Sequence, residues 1–266
     1  MSGAGQDGGR TGPAITASAV GEGADLVLLH SLLTDRGVWD RVVPALARSR
    51  RVWQVDLPGY GGSATAPPDI GAYADRVAQF LDERDLPAGT DVVGNGLGAA
   101  VALALAVHHG ARFDRLVLAG GAAEFPGESK QAFATMAERV RADGMAAVVD
   151  MAVRRIFAEQ YLAANPDVLE ERTAVLLRAD PDAFATACTA LEAMDLRDEL
   201  AGVRNPTLVV VGDEDRATPP DRARELADGI PGAQLVIMPG CAHAPQLQQP
   251  QEFLDIVGPF LGIDVA

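Results

Sequence analysis

Gly96 stands where its neighbours call for a nucleophile. The stretch Asp91-Val92-Val93-Gly94-Asn95-Gly96-Leu97-Gly98-Ala99-Ala100 has the outline of a G-x-S-x-G turn between a strand and a helix, with glycine in the serine slot. Further along come Gly212-Asp213-Glu214-Asp215 and Gly240-Cys241-Ala242-His243, and before it lies Leu29-His30-Ser31-Leu32. Nucleophile slot, then acid, then histidine is the chain order of one type of hydrolytic triad. In such a set the imidazole moves a proton, the carboxylate orients it, and backbone amides hold a developing oxyanion.

These segments must be brought together by the elements that carry them. Short apolar runs rich in β-branched residues recur at 15–20, 26–29, 52–55, 92–93, 116–118, 208–211 and 235–237. Several lack alternation, as strands covered on both faces do. Helical periodicity occupies 38–48, 70–84, 97–109, 220–228 and 250–261. Strands alternating with helices predict a mostly parallel sheet with helices on both faces. From about 128 to 200 the alternation stops, and the pattern reads as consecutive helices at 129–142, 145–157, 167–178 and 182–194. That segment is expected to be an inserted helical cap on an α/β core formed by residues 14–127 and 201–266. Residues 1–13 are glycine-rich and polar, and a disordered arm is expected there.

Bulk properties exclude several function classes. With 266 residues, 48% of them hydrophobic, the chain can bury one large core. The formal charge of -15 repels phosphate backbones and anionic lipid surfaces, so neither a nucleic-acid nor a membrane partner is expected. No run reaches the roughly 18 apolar residues of a membrane span, and the N-terminus lacks signal-peptide features, which makes a cytoplasmic location the default expectation. Cys188 and Cys241 are the only cysteines, and with His30, His108, His109 and His243 they show no metal-ligand spacing. Gly59-Tyr60-Gly61-Gly62 matches neither phosphate-loop nor dinucleotide patterns. No metal or cofactor is expected; the expected partner is a small-molecule substrate.

Taken together, LLHSLLTDRGVWDRVVPAL (28–46), VDLPGYGGS (55–63), VVGNGLGAAVALALA (92–106), MDLRDELAGVRNPTLVVVGDEDRATPP (194–220) and MPGCAHAPQLQQP (238–250) resemble the α/β-hydrolase superfamily. Within it the chain is similar to the 3-oxoadipate enol-lactonase group. The resemblance implies that His243 is the general base and that Asp215, picked out from Asp213 and Glu214 by the spacing G-x-x-D-x-x-x-P, orients it. It also implies an oxyanion hole formed by the backbone amides of Leu32 and Leu97. Gly96 departs from the pattern.

Glycine at position 96 removes a backbone strain of about 1–3 kcal/mol that a side chain there would store. Loss of a serine nucleophile typically costs about 10⁶ in turnover, near 8 kcal/mol. Serine-dependent acyl transfer is therefore expected to be unavailable to this chain. Cys241 is a poor substitute at the base of its loop, and the Asn95 amide is expected to point away from the pocket. Three readings stay open. In one, His243 and Asp215 carry out acid/base chemistry such as water addition, isomerisation, cyclisation, decarboxylation or ring opening on a small carbonyl or lactone compound, with a water or substrate hydroxyl in the room above Gly96. In another, the chain is an ester or lactone hydrolase whose nucleophile is substituted by glycine. In the third, it binds a small molecule without turnover. The cap supplies Phe133, Met136, Met145, Met151, Phe157 and Phe184 as apolar lid material, and Arg154 and Arg155 as cations that could meet a carboxylate.

Overall fold

The computed structural model describes residues 15–265, so the expected disordered arm lies outside the described residues. Seven strands form one sheet: β1 (Ala17–Val20), β2 (Ala24–Leu29), β3 (Arg50–Val55), β4 (Asp91–Asn95), β5 (Leu116–Ala119), β6 (Thr207–Gly212) and β7 (Gln234–Met238). Their spatial order is β1-β3-β2-β4-β5-β6-β7, and every pair is parallel except β1 with β3. Four of the five inner strands, β2, β4, β5 and β6, are buried along nearly their whole length. Such strands need apolar side chains on both faces, which explains their unalternating sequences.

Helices α1 (Val43–Leu46), α2 (Ile70–Glu83), α3 (Leu97–His109), α4 (Gly127–Asp143), α5 (Val149–Ile156), α6 (Glu159–Ala164), α7 (Pro166–Leu177), α8 (Pro181–Ala193), α9 (Pro220–Gly229), α10 (Pro245–Gln248) and α11 (Pro250–Leu261) complete the frame. Helix α3 reads LGAAVALALAVHH and is buried from Leu97 through Ala106, as a helix apolar on all sides must be. By contrast α2 buries one stripe, including Tyr73, Val77, Phe80 and Leu81, and starts at Asp69, whose carboxylate accepts the Ala72 amide. The helix expected over 38–48 is instead a 3-10 turn at Arg36–Trp39 followed by the four-residue α1, which carries Pro44 in its first turn. Proline lacks the N–H that a continuous helix through this segment would need. Five helices, α4 to α8, occupy 127–193 between β5 and β6, and α4 packs along α8. Two short helices, α6 and α10, were not legible in the periodicity because neither spans two full turns.

The chain reverses its direction of travel across the sheet between β2 and β4. From β2 it moves outward to β3, then returns to place β4 on the other side of β2. Loops leaving these two strands part around a crevice at their C-terminal ends, the position where open parallel sheets hold their sites. Leu29 is paired with Gly94, so residues just beyond each strand stand side by side. The close approach of α3 to β2 depends on Gly98, since a Cβ there would land on the Leu29 carbonyl. The Gly98 amide uses that proximity to donate to the His30 carbonyl at 2.9 Å.

His30, fully buried, locks the loop after β2. Its Nε2 accepts the Leu57 amide at 3.1 Å, which leaves Nδ1–H to donate to the Ser31 carbonyl at 2.9 Å. Thr34 closes the turn, its amide and hydroxyl donating to the Ser31 carbonyl while its Oγ1 accepts the Ser31 amide. Tyr60, in the turn after β3, donates its hydroxyl to the Leu32 carbonyl at 3.0 Å and meets the His30 ring edge-on.

Two outcomes follow for stability. Gly98→Ala is expected to lower unfolding free energy by about 1–3 kcal/mol through overpacking against backbone. Gly89→Ala, with nothing within 4 Å of its new Cβ, should leave a denaturant melt unchanged. Burial pushes the His30 imidazole below its ordinary value of 6.5, so the fold favours the neutral ring. As pH falls through 6.5 the unfolded chain gains its proton first, so this contribution is complete above that value and drains away below it. His30→Gln, which does not titrate, should be about 1–3 kcal/mol less stable at pH 8. Its melting temperature should then fall less steeply than the parent's on acidification; parallel slopes would remove His30 as the cause.

Candidate active site

Three strand ends deliver the side chains that the spacing singled out. Asp215 lies three residues after β6 and His243 five after β7, and Gly212 and Met238 at the ends of those strands are paired. Asp215 Oδ1 accepts the amides of Ala217 at 2.8 Å and Thr218 at 2.9 Å, while Oδ2 accepts the Thr218 hydroxyl at 2.8 Å. The remaining lobe of Oδ2 faces His243 Nδ1 at 2.9 Å. Both side chains are buried. A carboxylate that already holds three donors has one orientation, and it holds the imidazole in one tautomer with Nδ1 protonated and Nε2 free to accept. Asp213 is instead exposed and accepts the Gly240 amide at 2.7 Å, and Glu214 is half-buried on the neighbouring turn.

The histidine loop is tied from behind. Asn95, immediately before Gly96, donates its side-chain amide to the carbonyls of His243 at 2.9 Å and Ala119 at 3.1 Å, and Gln246 donates to its Oδ1 at 3.0 Å. The His243 amide donates to the Ile156 carbonyl of α5 at 3.0 Å. Asn95 does point away from the pocket, as expected, but it also positions His243, which the sequence pattern did not reveal. A buried polar residue at a strand terminus was the available signal, because such a group must find partners.

Gly96 keeps the backbone of the turn, with φ 56° and ψ -111°, and its amide donates to the Ala119 carbonyl at 3.0 Å. A Cβ built on it would point at His243 Nε2, 2.8 Å away. Leu97 opens α3 at its first position, where an amide has no intrahelical acceptor. Among the described residues neither the Leu97 nor the Leu32 amide has a hydrogen-bond acceptor. Their side chains pack in the core, at 1% and 4% exposure, while their amides remain available at the cleft.

Sequence reasoning left the space above Gly96 open for a water or a substrate hydroxyl. It is occupied instead by the Ser31 side chain. Ser31 Oγ would collide with a Cβ at position 96, and it faces His243 Nε2 at 3.4 Å. The sequence presents Ser31 only as part of the motif Leu29-His30-Ser31-Leu32. Its position two residues past Leu29, opposite a glycine two residues past Gly94, was the signal available once the strands were aligned.

The cleft over these groups is walled by Ser31, Leu33, Phe125, Phe133, Met136 and Leu191, with Arg155 at its edge. Counting its mouth, the cleft holds about 400 Å³. Phe133 and Met136 of α4 face the cleft, whereas Phe184 and Met145 are buried in the helical packing. Of the adjacent arginines, Arg154 is exposed and pairs with Asp150 at 3.3 Å. Arg155 is half-buried, and among the described residues it has no ion-pair partner within 4.0 Å. Burial lowers its pKa from the ordinary value, with the Asp215 carboxylate opposing that shift.

Neither cysteine is poised for chemistry. Burial raises both thiols to about 12, and Cys241 donates to the Ala242 carbonyl rather than facing position 96. Among the described residues no cluster of three or more His, Cys, Asp or Glu side chains could hold a metal ion, and no helix is long and apolar enough to cross a membrane.

The chain is similar to several known proteins. The pimeloyl-(acyl-carrier protein) methyl ester esterase of Nitrosomonas europaea is 32% identical over 251 residues, covering 90% of this chain and 96% of that protein. The crystal structure of the enol-lactonase from Burkholderia xenovorans superposes with a TM-score of 0.88 at 31% identity, covering 93% of this chain and 96% of that one. A malate-bound thermophilic esterase from Thermogutta terrifontis superposes with a TM-score of 0.86 at 28% identity, covering 93% of each chain. A profile of the alpha/beta hydrolase family matches residues 26–256. With the strand order, the cleft at the crevice and these relatives in agreement, the chain belongs to the alpha/beta hydrolase family, and it is similar to the enol-lactonases within it.

Proposed function

We propose that this chain hydrolyses a small ester or lactone, with His243 as general base, Asp215 as its orienting carboxylate, and the amides of Leu32 and Leu97 as the oxyanion hole. The observation that carries the reading is His243 Nε2, held by Asp215 through Nδ1, facing the Gly96 slot beside two amides that lack acceptors among the described residues. A neutral imidazole so held can take a proton from an attacking hydroxyl and return it to a leaving alkoxide. Two preorganised amides stabilise negative oxygen whatever side chain stands at position 96, since the donors are backbone. The core over 14–127 and 201–266 carries this machinery. The helices within 128–200 act as its cap, excluding water and choosing the substrate.

Hydrolysis is favoured over isomerisation or decarboxylation because relatives covering nearly the whole chain are named as an ester esterase and an enol-lactonase. Pure binding is disfavoured because a ligand carrier gains nothing from a histidine held in one tautomer. We read Arg155 as the contact for a carboxylate on the acyl portion of the substrate. It is the cation at the edge of an otherwise mostly apolar cleft, and a guanidinium keeps its charge there. That a related esterase binds malate, a dicarboxylate, supports the same reading.

His243→Ala should lower kcat/KM for a p-nitrophenyl or lactone substrate by about 10³-fold or more while leaving the melting temperature within a few degrees. Turnover that is indifferent to this change would remove the proposal. Arg155→Gln should raise KM about 10-fold or more for an ester bearing a free carboxylate, and leave the matching neutral methyl diester unaffected. Equal effects on both substrates would show that Arg155 acts through cap packing instead.

A further inference from the structure

The side chain that fills the Gly96 slot has the chemistry the slot lost. Register explains why it is there. Leu29 of β2 and Gly94 of β4 are paired, so the second residue beyond that pair on each chain segment, Ser31 on one side and Gly96 on the other, reaches the same level at the crevice. Ser31 is 2% exposed, and its backbone is fixed by His30 and Thr34. Its hydroxyl is not spent on that loop. Among the described residues the one partner of Ser31 Oγ is His243 Nε2 at 3.4 Å. Because Asp215 holds the proton on Nδ1, Nε2 is the acceptor and the Ser31 hydroxyl the donor. The separation of 3.4 Å is long for a hydrogen bond, as contacts between catalytic groups often are without substrate.

The oxyanion donors suit this arrangement. In a serine elbow, one donor is the amide after the nucleophile and the other comes from the loop beyond an earlier strand. With Ser31 attacking, the amide after the nucleophile is Leu32 and the second donor is Leu97. The two loops exchange roles and the same pair of amides serves. Glycine at 96 suits this arrangement, because a Cβ there would crowd Ser31 Oγ out of the rotamer that faces His243.

We propose that Ser31 is the acyl-accepting nucleophile of this chain, completing a Ser31–His243–Asp215 triad whose serine sits on the loop after β2 rather than on the elbow. Ser31 Oγ forms a bond to the carbonyl carbon of the ester or lactone as its proton passes to His243 Nε2, and the carbonyl π pair moves to the oxygen held by Leu32 and Leu97. That oxygen reforms the carbonyl, the bond to the alkoxy oxygen breaks, and the departing alkoxide takes the proton from His243. An ester of Ser31 remains. Water then gives a proton to His243 and adds to the acyl carbon, after which Ser31 Oγ departs with that proton. The net change is one ester and one water to one acid and one alcohol; from a lactone, both groups stay on one product.

This inference rests on the proposed hydrolase reading but fails separately from it. The unmodified chain treated with a fluorophosphonate should gain one adduct, and peptide mass mapping should place it on Ser31. Ser31→Ala should abolish the adduct and lower turnover by about 10³-fold or more with an unchanged melting temperature. Ser31→Cys should restore a covalent intermediate as a thioester, trapped by acid quench and found by mass at position 31. An adduct on any other residue, no adduct at saturating reagent, or near-parental turnover by Ser31→Ala would overturn the proposal. If Ser31→Ala turns over and His243→Ala does not, the hydrolase stands with water attacking directly and Ser31 merely filling space. If both variants turn over at the parental rate, the hydrolase reading fails as well.

Discussion

The parallel pairing of β2 with β4 is the constraint on which the rest depends. It is reached only because the chain crosses back over the sheet after β3, and it sets Leu29 against Gly94. From that register follow the meeting of the Ser31 loop with the Gly96 turn, the contact of both with His243, and the placement of two amides at one cleft. Glycines let the backbones come this close. A shift of register by one residue would turn either loop to the other face of the sheet. The apolar residues flanking these strands are therefore as much a part of the site as its polar atoms.

Electrostatic order in the site is built outward from Asp215. Two amides and the Thr218 hydroxyl fix the carboxylate before His243 is considered, and Asn95 and the Ile156 carbonyl then hold the histidine backbone. The imidazole is thus placed from both ends. The Asp215 and His243 side chains are buried, so their contact operates at a lower effective dielectric than it would at the surface. A preorganised arrangement of this kind costs little reorganisation when charge develops.

Much of the frame was legible in the sequence because its signals are local. Short apolar runs, several of them unalternating, marked all seven strands, and Gly94-x-Gly96-x-Gly98 marked the turn between β4 and α3. The run at 38–48 misled because its periodicity is helical while Pro44 interrupts the bonding. Asp215 and His243 could be named from spacing after strands and from resemblance, but their contact lies in three dimensions. Ser31 was harder still. Nothing in LHSLL distinguishes a serine that caps a loop from one aimed at a histidine 212 positions away. Only the register of two strands distant in sequence makes that assignment, and register is a nonlocal property. The hold of Asn95 on the His243 loop was hidden for a similar reason: its partners, Ala119 and His243, belong to other strand ends.

The cleft that these groups share is walled by Phe133 and Met136 of α4 and Leu191 of α8 as well as by the loops of the sheet. The polar atoms and the wall above them thus come from separate stretches of the chain, and the wall can change without disturbing the register that brings Ser31, Gly96 and His243 together. The shape of the cleft and the chemistry of its floor are therefore separable properties of one fold, the one free to drift while the other stays fixed.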